Sequence, residues 1–314
     1  MGDVAIIVPT LRRPESLERA LRSLFQQTGV DDRVAGIVVV DNDPRGSAET
    51  LTDDLRHLSP WPIIYRHAPT PGVATARNAG LSATTAPLIA FLDDDEAASP
   101  GWLSALLKAR EQTGADAVFG PITGRAPDAE AWLQPYLERF FGRDGPERTG
   151  LIDEPYGCGN SLMLRATTLP GDAPFNVAAD QAGGEDDALF AALAARGGRF
   201  GWATDARVEE FAPAHRATLK YALARAFAYG QGPSQTAAAA KNWPGVARWM
   251  LIGAAQTVVW GAAAIALTLM GRRGRAEMYD RAARGMGKVL WAPGFEPHFY
   301  GRRELARLDR AGSV

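Results

Sequence analysis

Four consecutive acids, Asp93-Asp94-Asp95-Glu96, follow directly on the apolar run Leu88-Ile89-Ala90-Phe91-Leu92. Adjacent carboxylates repel one another unless a positive charge shares the site, and a hard divalent cation such as Mg2+ or Mn2+ suits oxygen ligands of this kind. A solvated acidic turn accounts for the same run, so both readings stand until the surrounding elements are considered. Five apolar residues make a typical strand, and an unbroken run predicts one buried on both faces. Ser99-Pro100 reads as an N-cap and first-turn proline opening a helix that carries Trp102, Leu103, Leu106 and Leu107. The acids therefore fall at the carboxyl end of a buried strand, where open α/β sheets bind their ligands.

A second acidic cluster, Gly183-Gly184-Glu185-Asp186-Asp187, precedes the apolar segment 188–193. Acids in a first turn cap a helix and complement its dipole, which explains one or two of the three. The paired glycines point further, because they permit close backbone approach to a ligand. Polar residues also gather after two earlier strands, at 10–13 and at 41–43. Carboxylates accept hydrogen bonds from base N–H groups and ribose hydroxyls, and a metal-bridged diphosphate would complete a nucleotide site. Arg77 suits a phosphate, or is an ordinary helix-surface arginine.

Positioning these groups requires a particular order of elements. Strands are predicted at 4–8, 36–40, 62–66, 88–92 and 117–119, with helices from Pro14, up to about Thr84, and after Pro100. Leu17, Ala20, Leu21 and Leu24 give the first helix one apolar face. Strands alternating with helices imply an α/β fold with a mostly parallel sheet, right-handed crossovers and helices on both faces. No G-x-G-x-x-G follows the first strand and no G-x-x-x-x-G-K-[ST] loop occurs, so neither dinucleotide nor P-loop chemistry is indicated. A short helix at 131–137 carries Trp132, which lines an acceptor site or packs. The bend 157–165 enters a strand, with Cys158 read as a small packed residue. A strand near 206–211 leads to a helix at about 214–229.

The chain has 46% hydrophobic and 22% charged residues, enough to bury a substantial core. Its net charge of −2 divides into +7 for residues 241–314 and −9 before them. A basic tail suits an anionic membrane surface, and no nucleic-acid motif accompanies it. The single cysteine permits no intramolecular disulfide, and no secretory signal is expected at the start. Residues 249–270 lack charge for 22 positions, long enough for a membrane span, although Gly261 is expected to interrupt them. A hairpin of two short helices, an interfacial segment, or a helix pair packed on the rest of the chain are the alternatives. Residues 275–291 are predicted helical, and 293–300 form an aromatic loop.

Val8-Pro9-Thr10, Val39-Val40-Asp41-Asn42, Ala76-Arg77-Asn78-Ala79-Gly80 and Phe91-Leu92-Asp93-Asp94-Asp95 together resemble the nucleotide-binding half of a family 2 glycosyltransferase with the GT-A (Rossmann-like) fold. The likeness covers about residues 1–235, leaving 236–314 as a helical, basic, membrane-associating tail. It divides the first part into a nucleotide half (1–120) and an acceptor and catalytic half (121–235). It implies that Pro9, Thr10 and Asp41 hold the nucleotide, Asp41 at the base, alongside Arg12, Arg77 and Asp93. Asp94 would meet ribose or metal, and Asp95 would ligate Mn2+ or Mg2+ with Asp93. Relatives often have a histidine as a further ligand; here Glu210 aligns and His215 follows. Asp186 would be the general base of an inverting transfer, with Glu185 and Asp187 orienting the acceptor or the helix start. Arg216 or Arg225 would reach the leaving diphosphate. The expected partners are a UDP-, GDP- or dTDP-sugar and a glycan or lipid-linked acceptor, at the cytoplasmic face of the inner membrane. A sugar-phosphate nucleotidyltransferase would need glycines that residues 9–13 lack, and a non-catalytic binding protein would tolerate degraded acidic motifs.

Overall fold

A computed structural model describes residues 2–180 and 183–297, with Phe299 and Leu305. His298 and Tyr300 of the expected aromatic loop lie outside the described residues. Strands β1 (Val4–Thr10), β2 (Val34–Asp41), β3 (Ile63–His67) and β4 (Leu88–Phe91) alternate with helices α1 (Pro14–Leu24), α2 (Glu49–Leu55) and α3 (Val73–Ser82). These four strands are parallel, in the order β3-β2-β1-β4. Alternation along β1 explains why its sequence is apolar throughout. Val4, Ile6 and Val8 pack with Leu17 and Leu21 of α1, whereas Ala5 and Ile7 pack with Ala74 and Leu81 of α3.

The chain continues through β5 (Glu96–Ala98), α4 (Trp102–Thr113), β6 (Ala117–Phe119), β7 (Ile122–Arg125), α5 (Gln134–Phe141), β8 (Gly150–Ile152), β9 (Ser161–Leu164) and α6 (Arg165–Thr168). Then follow α7 (Glu185–Ala195), β10 (Phe200–Trp202), β11 (Val208–Phe211), α8 (Leu219–Ala239), α9 (Trp243–Leu269) and α10 (Arg275–Val289). The main sheet has eight strands, β3-β2-β1-β4-β9-β6-β10-β8; β9 and β8 run antiparallel to their neighbours. A small sheet has the order β5-β11-β7. The result is the GT-A-like α/β architecture that the sequence predicts, with helices on both faces and a helical carboxyl-terminal region.

Compactness divides the chain into two units. One contains Met1–Thr123 and Gly142–Phe211; the other contains Gly124–Phe141 and Ala212–Pro297. This differs from a boundary at residue 235. Tyr136 of α5 donates to Asp280 of α10 at 2.9 Å, and Leu133, Tyr136 and Leu137 share a core with Ala222 and Ala276. The segment 124–141 and helix α8 therefore belong with the tail.

Three element boundaries also differ from expectation. Helix α4 starts at Trp102 with Gly101 as its cap, and Ser99 supplies only the carbonyl of the preceding turn. Helix α8 starts at Leu219, where the Thr218 hydroxyl accepts from the Tyr221 amide at 3.2 Å. Helix α9 is one unbroken helix of 27 residues, so Gly261 does not interrupt it and no hairpin forms within 249–270. Glycine costs an exposed helix only about 1 kcal/mol, which the flanking Ala, Leu and Ile residues outweigh.

Candidate active site

The order β2-β1-β4 makes the carboxyl end of β1 a switch point, with crossovers leading to opposite sides, and the polar clusters meet there. Thr10, ending β1, donates to Asp94 Oδ2 at 2.7 Å. Arg13 bridges two acids of the other cluster, at 2.8 Å from Asp94 Oδ1 and 2.9 Å from Asp95 Oδ2. Arg12, held at φ 53°, pairs with Asp43 at 2.9 Å. A non-glycine residue in this left-handed region costs local strain, which the ion pair helps to offset.

Asp41 is fully buried and organises the loop after β2. It accepts from the amides of Asp43 (2.9 Å) and Ala48 (2.7 Å) and from the Tyr65 hydroxyl (2.9 Å). Asn42 ties that loop to the one after β3. Its amide donates to the carbonyls of Ala68 (2.7 Å) and Thr70 (2.8 Å), and its oxygen accepts from Gly72 N at 2.7 Å. Helix α3 then begins under Asp180, whose carboxylate accepts from the Thr75 amide (3.1 Å) and hydroxyl (2.6 Å).

The two acidic clusters converge on the bend before β9. A Cβ at Gly159 would lie 2.7 Å from Asp93 Oδ2 and 2.9 Å from Glu96 Oε1; one at Gly157 would lie 3.2 Å from Asp186 Oδ2. Asp186, in the first turn of α7, accepts from the Cys158 amide at 3.2 Å. The paired glycines before that helix both need positive φ, 87° at Gly183 and 84° at Gly184. They turn the chain so that Glu185 points inward onto Arg77, with which it forms a buried ion pair. The other Arg77 nitrogen stands 3.6 Å from Asp93, so one guanidinium links both clusters. Its carbon lies 5.9 Å and 5.6 Å from the ring centres of Phe91 and Phe175.

A second cation, the half-buried Arg143, holds the bend from the opposite side. Its guanidinium donates to the carbonyls of Gly159 (2.9 Å) and Gly157 (3.1 Å) and feels the charges of Glu96, Glu210 and Asp93. Asn160 completes the frame. It is fully buried, takes the Trp102 indole N–H at 2.8 Å, and donates to the carbonyls of Pro121 and Ala206 at 2.8 and 2.9 Å.

Electrostatically the site is crowded with acid. Burial pushes the Asp93, Asp94, Glu96 and Glu185 carboxyls above the usual range, and neighbouring carboxylates add to it. Glu96 is raised most clearly, chiefly by burial, with the charges of Asp93 and of Glu210, directly across the strand pair, adding to it. Asp93 keeps 38% of its side chain accessible although protein surrounds it closely. Burial likewise drives the Cys158 thiol well up, which leaves it a packed residue without nucleophilic character.

Donor chemistry at Asp93 and Asp95 fits a hard cation. Among the described residues no three acidic, histidine or cysteine side chains are grouped to cage one. Mg2+ commonly takes one or two carboxylates and completes its shell with phosphate oxygens and water.

The sequence-derived candidates thus fall into distinct places. Pro9, Thr10, Arg12, Asp41, Asp93, Asp94, Asp95, Glu185 and Asp186 come together around β1, β4 and α7. Arg77, expected at a phosphate or on a helix surface, is 4% exposed and engaged by Glu185. Asp41 and Glu185 are likewise held by internal partners. Asp187 is exposed on α7, its amide donating to Asp186 Oδ1 at 3.0 Å. Glu210 sits beside Glu96 and Arg143, whereas His215 and Trp132 belong to the other compact unit. Trp132 there donates to Glu130 at 2.6 Å and carries the Arg275 guanidinium 3.8 Å above its ring, so packing describes it. Arg143 and the frame-building role of Asn160 were missed. Arg143 lies in a weakly patterned stretch that offered no signal, and Asn160 showed only as part of the glycine-rich bend.

Comparison with known proteins agrees with this geometry. The profile described as "Glycosyl transferase family 2" matches residues 5–169. Succinoglycan biosynthesis protein ExoM of Rhizobium meliloti is 35% identical over 229 residues, 73% of each chain. The uncharacterized glycosyltransferase EpsJ of Bacillus subtilis is 30% identical over 46% of this chain and 41% of its own. Among solved structures, S. aureus TarS 1-349 in complex with UDP superposes with a TM-score of 0.52 at 16% identity, covering 71% of this chain and 64% of that one. That likeness speaks for the fold, while the family profile and the relative matched over most of its length speak for descent. The chain belongs to glycosyl transferase family 2 and is a glycosyltransferase.

Proposed function

We propose that the chain transfers a sugar, with inversion, from a nucleotide diphosphate sugar to a hydroxyl of a glycan or lipid-linked acceptor. One observation carries the proposal: Asp93 and Asp186 flank the same short bend, contacting Gly159 and Gly157 respectively. A donor phosphate beside the first acid and an acceptor hydroxyl beside the second would then meet at one anomeric carbon. The acceptor oxygen attacks that carbon, the bond to the diphosphate breaks with its electron pair leaving on the phosphate, and Asp186 takes the hydroxyl proton. Asp186 suits the role because it is only partly buried and stands at the mouth of α7. Glu185 and Arg77 position it by fixing the first helical turn.

Divalent metals are common in the family, and Asp93 and Asp95 are the residues that would hold Mn2+ or Mg2+ here. When bound, the ion neutralises charge on the leaving diphosphate. UDP-sugars are the first donors to test, since TarS has been solved with UDP and with UDP-GlcNAc. ExoM is named for succinoglycan biosynthesis, which favours a polysaccharide intermediate as acceptor and a cytoplasmic, membrane-adjacent location. The test is a thermal-shift panel of UDP, GDP and dTDP sugars, with and without Mn2+, on wild type and Asp95→Ala. Metal-dependent stabilisation by one nucleotide, abolished in Asp95→Ala, is the expected result. No stabilisation by any nucleotide in buffer, detergent or lipid would overturn the donor assignment.

A further inference from the structure

We infer that α9 is an in-plane membrane anchor, which lays one apolar face into an anionic lipid surface without crossing the bilayer. At 1.5 Å per residue its 27 residues extend about 40 Å. Its mean hydropathy is 1.8 over the most apolar stretch. Val246, Gly253 and Ala264 are buried along one stripe, and the opposite side is open: Leu251 is 73% exposed, Val258 71% and Leu269 84%. Arg248 is the one charged residue in the helix. A continuous apolar face of this size is not left to water on a soluble monomer.

Length and composition would equally suit a membrane span, but the packing of α10 rules that out. Helix α10 returns antiparallel along α9 from Tyr279, 3.1 Å from the Thr268 hydroxyl, to Lys288, whose Cβ a methyl at Gly253 would meet at 2.7 Å. Between those points the Gly253 and Gly285 backbones touch, and the Thr257 hydroxyl reaches the Ala282 carbonyl at 3.4 Å. Asp280, Arg281, Arg284 and Lys288 therefore lie beside residues 253–268, the segment that a span would place in hydrocarbon. Charges at the centre of a bilayer are strongly disfavoured. Lying in the interface, the same helix pair keeps Arg281, Arg284 and Lys288 out of hydrocarbon and only the outer face in lipid.

Charge selects the lipid. Arg272 and Arg273 are exposed in the turn after α9, Lys241 and Arg248 stand near its start, and residues 241–314 carry +7. Trp243 is 61% exposed at the start of the helix, and the Arg281 guanidinium lies 4.6 Å from the Trp260 ring centre, an arrangement suited to a headgroup layer. The inference is independent of the donor chemistry proposed above, and its test uses no nucleotide.

The full chain is mixed with vesicles of phosphatidylcholine, with or without phosphatidylglycerol, and floated. Binding to the phosphatidylglycerol vesicles and release by alkaline carbonate is the expected result. Val258→Asp and Leu251→Asp, both at open positions, should weaken binding by more than about tenfold with unchanged circular dichroism and melting. Arg272→Glu with Arg273→Glu should abolish the preference for phosphatidylglycerol. Retention through carbonate, released only by detergent, would overturn the in-plane arrangement. Absence of vesicle binding, with light scattering showing a dimer that Val258→Asp dissociates, would assign the face to a second copy instead.

Discussion

Arg143 offers the sharpest test at the scale of single residues. Its half-buried guanidinium is the counter-charge to Glu96, Glu210 and Asp93, and it also ties down the bend between the two acids of the site. Removing one partner of a partly buried ionic cluster costs about 1–3 kcal/mol, because the remaining charges lose compensation. Arg143→Met should therefore lower stability by that order in denaturant titration, and Arg143→Met with Glu96→Gln should recover a substantial part. Asp186→Asn predicts a different signature. Turnover should fall by about 100-fold or more while nucleotide affinity is retained, as loss of a base affects proton transfer and not donor binding. Near-normal turnover would remove Asp186 from that role.

The raised carboxyls also predict a pH dependence with a definite sign. Glu96 has an ordinary value of 4.5 and lies well above it in the folded protein, so the native state holds its proton longer than the unfolded chain does. Stability is then greatest below the unfolded value and declines as pH rises through the folded one. Glu96→Gln removes that ionisation. Its melting temperature should exceed wild type at pH 7 and converge with it toward pH 4, measured as a melting series in metal-free buffer. Residue chemistry of this kind was partly legible beforehand. The acids and the glycine pair announced themselves by type and spacing. Their counter-ions did not: Arg77 and Arg143 owe their roles to partners distant in sequence, which no local pattern encodes.

At the scale of elements, parallel strands such as β1 and β4 were legible as unbroken apolar runs buried on both faces, and the first helix by its 3.6-residue apolar period. The shorter strands β5, β8 and β10 were not. Their residues, Glu96-Ala97-Ala98, Gly150-Leu151-Ile152 and Phe200-Gly201-Trp202, lack the unbroken apolar run that marks β6, and each is defined by pairing with a distant strand. The packing of α10 on α8 depends on contacts equally invisible in one dimension. A Cβ at Gly287 would lie 2.1 Å from the Phe227 carbonyl, and one at Gly230 would lie 2.2 Å from the Arg284 carbonyl. Both approaches involve backbone, which cannot swing aside. Gly287→Val should cost about 1–3 kcal/mol through overpacking, whereas Gly261→Ala, with nothing within 4 Å, should stabilise α9 by a few tenths. Thermal melts of the two variants should move in opposite directions.

Over the whole molecule, up to Pro297, the chain passes between its two compact units after residues 123, 141 and 211. The helical unit is therefore completed by a segment from the middle of the sequence, and a boundary at 235, drawn from the extent of the family likeness, does not include it. Tyr136 is the keystone of that arrangement, buried and bonded to Asp280. Burial and the neighbouring Asp280 push its phenol up, so it stays neutral and donating. Tyr136→Ala should cost about 3–5 kcal/mol in the helical unit. Hydrogen exchange should quicken in α8 and α10 while β1, β2 and β4 keep their protection, and uniform loss across the chain would contradict the division.

The open face of α9 bears on how such an enzyme meets its second substrate. A molecule resting on a membrane no longer searches a volume; it searches a sheet. Any acceptor anchored in the same sheet is then confined to a thin layer around it, so encounters depend on surface density more than on bulk amount. Dilution of the enzyme in vesicle-free buffer would hide an activity that the same amount of acceptor, spread on a membrane, would reveal.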